Sequence, residues 1–192
     1  LMDSEKLSEI DKTSFASLLT EQMDRSTFSY SLRKLSQLLC KHYGKEVIIL
    51  IDEYDVPLAK ANERGYYDEM VLLMQNVLSN ALKTNNCLKL AVLTGCLRIA
   101  KESIFTGLNN FKVYSITNVD FDEYFGFTDD EVKAMLQYYG LMEPYGPSYH
   151  YDTVREWYDG YRFGNVDVYC PWDVINYCRD HLSDRTAAPR NY

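Results

Sequence analysis

The sequence predicts an α/β protein, a parallel sheet with flanking helices followed by a mostly helical C-terminal part. Three observations carry that reading. Val47-Ile48-Ile49-Leu50-Ile51 is apolar at every position, the composition of a strand covered on both faces rather than one alternating between core and solvent. Leu88 to Leu93 is a second strand of the buried type. Between them, Tyr66 to Thr84 sets Met70, Leu73, Met74, Val77, Leu78, Ala81 and Leu82 at helical spacing, the strongest such stripe in the chain. Strand, helix and strand in that order read as one right-handed crossover that leaves the two strands parallel.

The remaining elements follow in order. Leu7, Ile10, Phe15, Leu18 and Leu19 place a first helix over 11–22. Phe28, Leu32, Leu35 and Leu39 form one face of a second helix over 26–43, which Gly44 stops. Pro57 and the polar Asn62-Glu63-Arg64-Gly65 mark a loop after the first strand. The segment 97–107 reads as irregular, and a short strand is expected near 112–115. Thr128-Asp129-Asp130-Glu131 is a capping box that opens a helix bearing Val132, Met135, Leu136 and Tyr139, ended by Gly140. A loop with Pro144, Gly146 and Pro147 leads to a short helix over 151–158. Asp159 to Gly164 turns into a strand pair that returns through Val166 to Tyr169. Pro171 suits the first turn of a final helix with Val174, Ile175, Cys178 and Leu182.

At 192 residues, 46% of them hydrophobic and 25% charged, the chain can bury an ordinary core. The expected division is 1–120 for the α/β core and 121–192 for a helical extension with the strand pair, in the same domain or as a small subdomain. The net charge of −8 argues against broad coating of nucleic acid. No apolar run reaches membrane-spanning length, and Leu1-Met2-Asp3-Ser4-Glu5 shows no signal-peptide pattern. The scattered Cys40, Cys87, Cys96, Cys170 and Cys178 form no Cys-x-x-Cys and have no His at zinc spacing. Reduced thiols and a cytoplasmic location are expected.

The chemistry concentrates where the first strand ends, in Asp52-Glu53. Ligands of open α/β sheets bind at the carboxyl ends of strands. A carboxylate there can hold Mg²⁺ while its neighbour orients an attacking water. An apolar run closed by Asp-Glu is the Walker B pattern of P-loop NTPases; the plainer alternative is a buried strand with a solvated acidic end. Thr94 lies at the end of the neighbouring strand, where its hydroxyl could touch the same phosphate or water. Arg98 could meet anionic phosphate, although an isolated Arg-x-x-Lys is ordinarily a solvated face. The Gly-x-x-x-x-Gly-Lys-Ser/Thr phosphate cradle occurs nowhere in the sequence. No Glu-x-Lys triplet lies on the second strand to make a nuclease site, and His42, His150 and His181 show no metal spacing.

Three longer blocks carry a resemblance. Lys45 to Leu58 resembles the Walker B block of the bacterial AAA-ATPase-like family. Thr94 to Asn110 is similar to that family's sensor block. Trp157-Tyr158-Asp159-Gly160-Tyr161-Arg162-Phe163-Gly164, with Tyr169-Cys170-Pro171-Trp172, resembles its later aromatic block. The three occur in family order, over roughly residues 26–182. The resemblance implies a partial P-loop NTPase-like (ASCE) sheet. It makes Asp52 the Mg²⁺ ligand, Glu53 the general base, Thr94 a sensor that also touches nucleotide, and Arg98 a phosphate or subunit contact. ATP and Mg²⁺ are the implied cofactors of the intact parent protein. The family is often fused to a restriction-endonuclease-like domain, which would be the only route to nucleic acid, and a homo-oligomer is left open. The sequence departs from the family in lacking the Walker A loop, so ATP binding and hydrolysis by this chain are expected to be weak or lost. An interaction module that keeps the fold without the chemistry is the second reading. A defence or mobile-element component acting with a nuclease domain is the third.

Overall fold

The computed structural model describes residues 1–20, 23–96, 104–105, 108, 112–143, 146–147 and 149–192. The chain divides into two compact units, Leu1–Phe111 and Lys112–Tyr192.

In the first unit, helix α1 (Glu9–Leu18) starts at Ser8. The Ser8 hydroxyl accepts the Asp11 N–H while the Asp11 carboxylate accepts the Ser8 N–H. This capping box starts the helix two residues earlier than apolar spacing alone placed it, and the helix ends at Leu18, short of the expected Gln22, which lies outside the described residues. Helix α2 (Arg25–Tyr43) is capped by Asp24, which accepts the Thr27 N–H, and stops at Gly44 with φ of 67°. Leu38 and Ser36 are its most buried residues, whereas Phe28 of the expected face is exposed. Strand β1 (Val47–Ile51) pairs in parallel with β2 (Leu88–Leu93), Ile49 opposite Ala91 and Ile51 opposite Leu93. Helices α3 (Val56–Glu63) and α4 (Tyr67–Leu82) lie between them in sequence. The expected crossover with parallel strands is therefore present. Helix α3 replaces the expected loop, because Pro57 falls in its first turn, where a missing N–H costs nothing.

Leu58 of α3 and Leu78 of α4 form a core with Ile104 and Leu108, against which Ile51, Leu93, Met74 and Tyr54 pack. That covers one face of the strand pair. On the other face Ile48, Leu50, Leu90 and Val92 are 52%, 73%, 52% and 43% exposed. The expectation of a strand covered on both faces is thus corrected. The apolar composition of β1 suits two covered faces, but the core built by α3 and α4 serves only the face of Ile49 and Ile51.

The second unit contains α5 (Asp129–Tyr138), α6 (Tyr149–Tyr158), the antiparallel pair β3 (Asp159–Phe163) and β4 (Val166–Tyr169), and α7 (Pro171–Ser183). Thr128 and Glu131 form the expected capping box of α5. Val132, Leu136, Leu141, Val154, Val174, Tyr177 and Cys178 make one closed core. The expected strand near 112–115 does not form. Instead the Asn118 N–H donates to the Ser115 carbonyl and the Asn118 side chain accepts the Ser115 N–H. These bonds close a turn, and no neighbouring strand offers a ladder to those residues among the described ones.

Candidate functional site

Where β1 ends, the ladder to β2 is held by a single residue. The Thr94 N–H donates to the Ile51 carbonyl at 2.9 Å, and the Tyr54 N–H donates to the Thr94 carbonyl at 3.0 Å. Asp52 and Glu53 are therefore looped out together opposite Thr94, two residues against one, as in a β-bulge. Successive side chains on a regular strand point to opposite faces, and the bulge breaks that alternation here. Glu53 takes a left-handed backbone, φ 52°, which is unfavourable for a residue with a Cβ. The Glu53 N–H donates to Asp52 Oδ1 at 3.0 Å, and the Thr94 hydroxyl donates to the same oxygen. All three side chains are exposed.

Beneath this tip the chain turns at once into α3. Asp55, buried to 4% exposure, occupies the residue before that helix, and its carbonyl accepts the Leu58 and Ala59 N–H groups. A Cβ on Gly95 would stand 2.6 Å from Asp55 Oδ1 and 2.8 Å from Tyr54 Cε1. Glycine after Thr94 thus lets the end of β2 lie against the turn that presents the carboxylates. Asp55, Tyr54 and Gly95 were not singled out from sequence as site residues. The available signal was Asp55 immediately before a Val-Pro helix start. Of the expected site residues, Asp52, Glu53 and Thr94 come together, while Arg98 lies outside the described residues.

The arrangement offers two solvent-facing carboxylates and a hydroxyl at a strand terminus. Among the described residues no group of three or more His, Cys, Asp or Glu side chains is placed to hold a metal ion. Mg²⁺ seldom requires one, since it keeps several waters and is held by one or two carboxylates together with substrate phosphates. Asp52 could supply such a carboxylate.

The second unit holds another carboxylate–hydroxyl cluster. Asp129 Oδ1 accepts the Tyr151 hydroxyl at 2.6 Å and the Tyr169 hydroxyl at 3.0 Å, and Lys133 Nζ lies 2.6 Å from Oδ2. Burial pushes the Asp129 carboxyl up, but the bonds from Lys133, Tyr151 and Tyr169 outweigh it and hold it below the ordinary value. His150 is buried on α6, with Nδ1 2.7 Å from the Tyr177 hydroxyl. Burial, then His181 and Arg185, lowers its pKa.

A family model described as "Predicted AAA-ATPase" matches residues 3–105, which fall within the first unit. The aromatic block at 157–172 lies beyond that match. An uncharacterized protein in the vnfD 5′ region of Azotobacter chroococcum mcd 1 is 29% identical over 133 residues, 69% of this chain and 24% of that protein. The chain thus spans about a quarter of the length of the curated relative it matches. No solved structure matches it.

Proposed function

The chain belongs to the AAA-ATPase-like family, and from that premise we propose that it supplies the Walker B and sensor part of an ATP-hydrolysing site in its parent protein. The observation that supports this reading is the bulge that loops Asp52 and Glu53 out together opposite Thr94, with the Thr94 hydroxyl on the Asp52 carboxylate. Asp52 would hold Mg²⁺ through its carboxylate, and the metal would neutralise charge on the phosphates. Glu53 would accept a proton from the attacking water. Thr94 fixes the Asp52 carboxylate and offers its hydroxyl oxygen to water or phosphate. Arg98 remains a proposed phosphate or subunit contact. The residues present fit Mg²⁺ at a single carboxylate with water. The backbone amides and lysine of a phosphate cradle are missing from this sequence, so positioning of the phosphates is lost here.

Turnover and nucleotide affinity measured side by side in the parent protein test this. Glu53→Gln keeps the shape and removes the base, so turnover should fall at least about a hundredfold with affinity near normal. Unchanged turnover removes Glu53 from the mechanism. The 192-residue chain alone should bind ATP with Mg²⁺ weakly or not at all, and micromolar affinity by calorimetry would contradict the missing cradle.

A second reading, a protein-interaction module, is favoured by the bare aliphatic face of Ile48, Leu50, Leu90 and Val92. Parallel sheets are ordinarily covered on both faces.

A further inference from the structure

Two of the three histidines, His150 of α6 and His181 of α7, meet inside the second unit. Their ring centres lie 4.9 Å apart, edge to face at 83°, and one residue fixes both. The Tyr177 hydroxyl is 2.7 Å from His150 Nδ1, and the Tyr177 carbonyl is 2.8 Å from His181 Nδ1. A carbonyl can only accept, so His181 Nδ1 carries a proton there. The Tyr177 ring lies over His181 at 4.0 Å and the Tyr149 ring over His150 at 4.1 Å. His150, Tyr177 and His181 are each exposed by 2% or less. Burial leaves His150 without the water that an imidazolium needs.

The surrounding charges offer no substitute for that water. Arg185, just past α7, adds a cation, its guanidinium donating to the Gly140 carbonyl at 2.8 Å. Asp184 is exposed and accepts the Thr186 N–H and hydroxyl. On α6 and α7 themselves Asp152, Arg155, Glu156 and Arg179 are exposed, and Asp180 is held by Arg190 and Tyr192. Asp173, in the first turn of α7, acts on Tyr158. The charges of α5 and β3, which also pack on α6, are paired or exposed. Asp129 binds Lys133, Glu131 binds Thr128, Arg162 binds Asp167, and Asp130 and Asp159 are exposed.

We propose that His150, Tyr177 and His181 form an acid-operated latch between α6 and α7, closed while both imidazoles are neutral and opened by proton uptake. An imidazolium at His150 faces His181 and Arg185 rather than a carboxylate, so α6 must part from α7 for water to reach it. Opening takes Val154, Val174 and Cys178 out of the core they share. Burial first, then His181 and Arg185, make His150 hold its proton more weakly than an ordinary histidine. The unfolded chain takes that proton at about pH 6.5. The stabilisation is therefore complete above about pH 6.5 and is lost as pH falls below it. The carboxyls of Asp129 and Asp180 titrate below their ordinary value of 3.8, outside this window. The latch operates whether or not the bulge hydrolyses nucleotide.

The test is urea unfolding of the full chain at several values between about pH 7 and about pH 5, read by Trp157 and Trp172 of the second unit. The unfolding constant of that unit should rise at least about tenfold per pH unit below about 6.5. His150→Gln cannot gain the charge and should remove about tenfold per pH unit from that slope. His42→Gln, in the first unit, should keep the full slope. The unsubstituted chain gives a second reading by nuclear magnetic resonance titration of the His150 ring, whose neutral signal should persist as long as the native fluorescence does. An unfolding constant that does not change over this range, an equal slope in His150→Gln, or a His150 ring that titrates at about pH 6.5 in the folded chain would each overturn the proposal. The ring titration decides this even if His150→Gln does not fold.

Discussion

Asp52 and Asp129 each accept hydroxyl hydrogen bonds, yet their surroundings differ in kind. Asp129 is engaged through both oxygens by Tyr151, Tyr169 and Lys133, drawn from α5, α6 and β4. It joins elements around a closed core. Asp52 takes the Thr94 hydroxyl and the Glu53 N–H on one oxygen, Oδ1. Nothing among the described residues occupies the other, and Asp52 stands beside an exposed carboxylate on an unfavourable backbone. A carboxylate–hydroxyl contact therefore does not by itself mark a reactive site. What separates the two is whether the acid's bonding capacity is spent inside the fold.

The widest separation should come from removing each acid. Asp129→Ala leaves two tyrosine hydroxyls without their acceptor and should destabilise the second unit by about 2 kcal/mol. Asp52→Ala, at an exposed tip, should stay within about 0.5 kcal/mol. Urea unfolding followed by tryptophan fluorescence reads the second unit selectively, since Trp157 and Trp172 both lie there, and circular dichroism reads the whole chain. Equal losses would erase the distinction. The acid limb adds a sign. Asp129 titrates below its ordinary value of 3.8 when folded, so its stabilisation is complete above that pH and fades as pH falls through the folded value. Asp129→Ala should flatten that fading in thermal melts taken below about pH 4.

An effect of similar size is expected at the support of the bulge. Gly95→Val places a side chain into the space of the Asp55 carboxylate and Tyr54 ring and should cost about 1–3 kcal/mol. A neutral result in denaturant unfolding would mean that the turn yields easily, and that Gly95 does not hold the tip. The smallest effect runs the other way. Glu53→Gly relieves the left-handed backbone and should raise stability by about 0.5–1 kcal/mol. A loss of stability would show that the Glu53 side chain is a structural support like Asp129.

The βαβ unit was legible because it rests on composition: the apolar runs of β1 and β2 and the long stripe of α4 need no partner to be seen. Helix α3 was not, because Pro57 was read as a breaker when its position in the first turn makes it a starter. A short strand was expected near 112–115, but a strand exists only with a ladder partner, and the Ser115–Asn118 turn took its place. The location of Asp52, Glu53 and Thr94 was readable from strand ends. Their geometry was not, because it depends on bonds across the strand pair, Thr94 to Asp52 spanning 42 positions. The crowding of Gly95 against Asp55 was hidden for the same reason.

The single-residue grip of Thr94 has a consequence for assembly. Leu93 carries no hydroxyl and Gly95 no side chain, so sliding β2 by one residue in either direction leaves Asp52 without its hydroxyl donor. The tip thus tests the register of the two strands, and only one register builds it. It also sets a time. Because α3 and α4 intervene, β1 emerging alone would present Asp52 and Glu53 on an unconstrained chain end. The bond from Thr94 to Asp52 forms only once the crossover has closed, which makes this tip one of the last features of its unit to form.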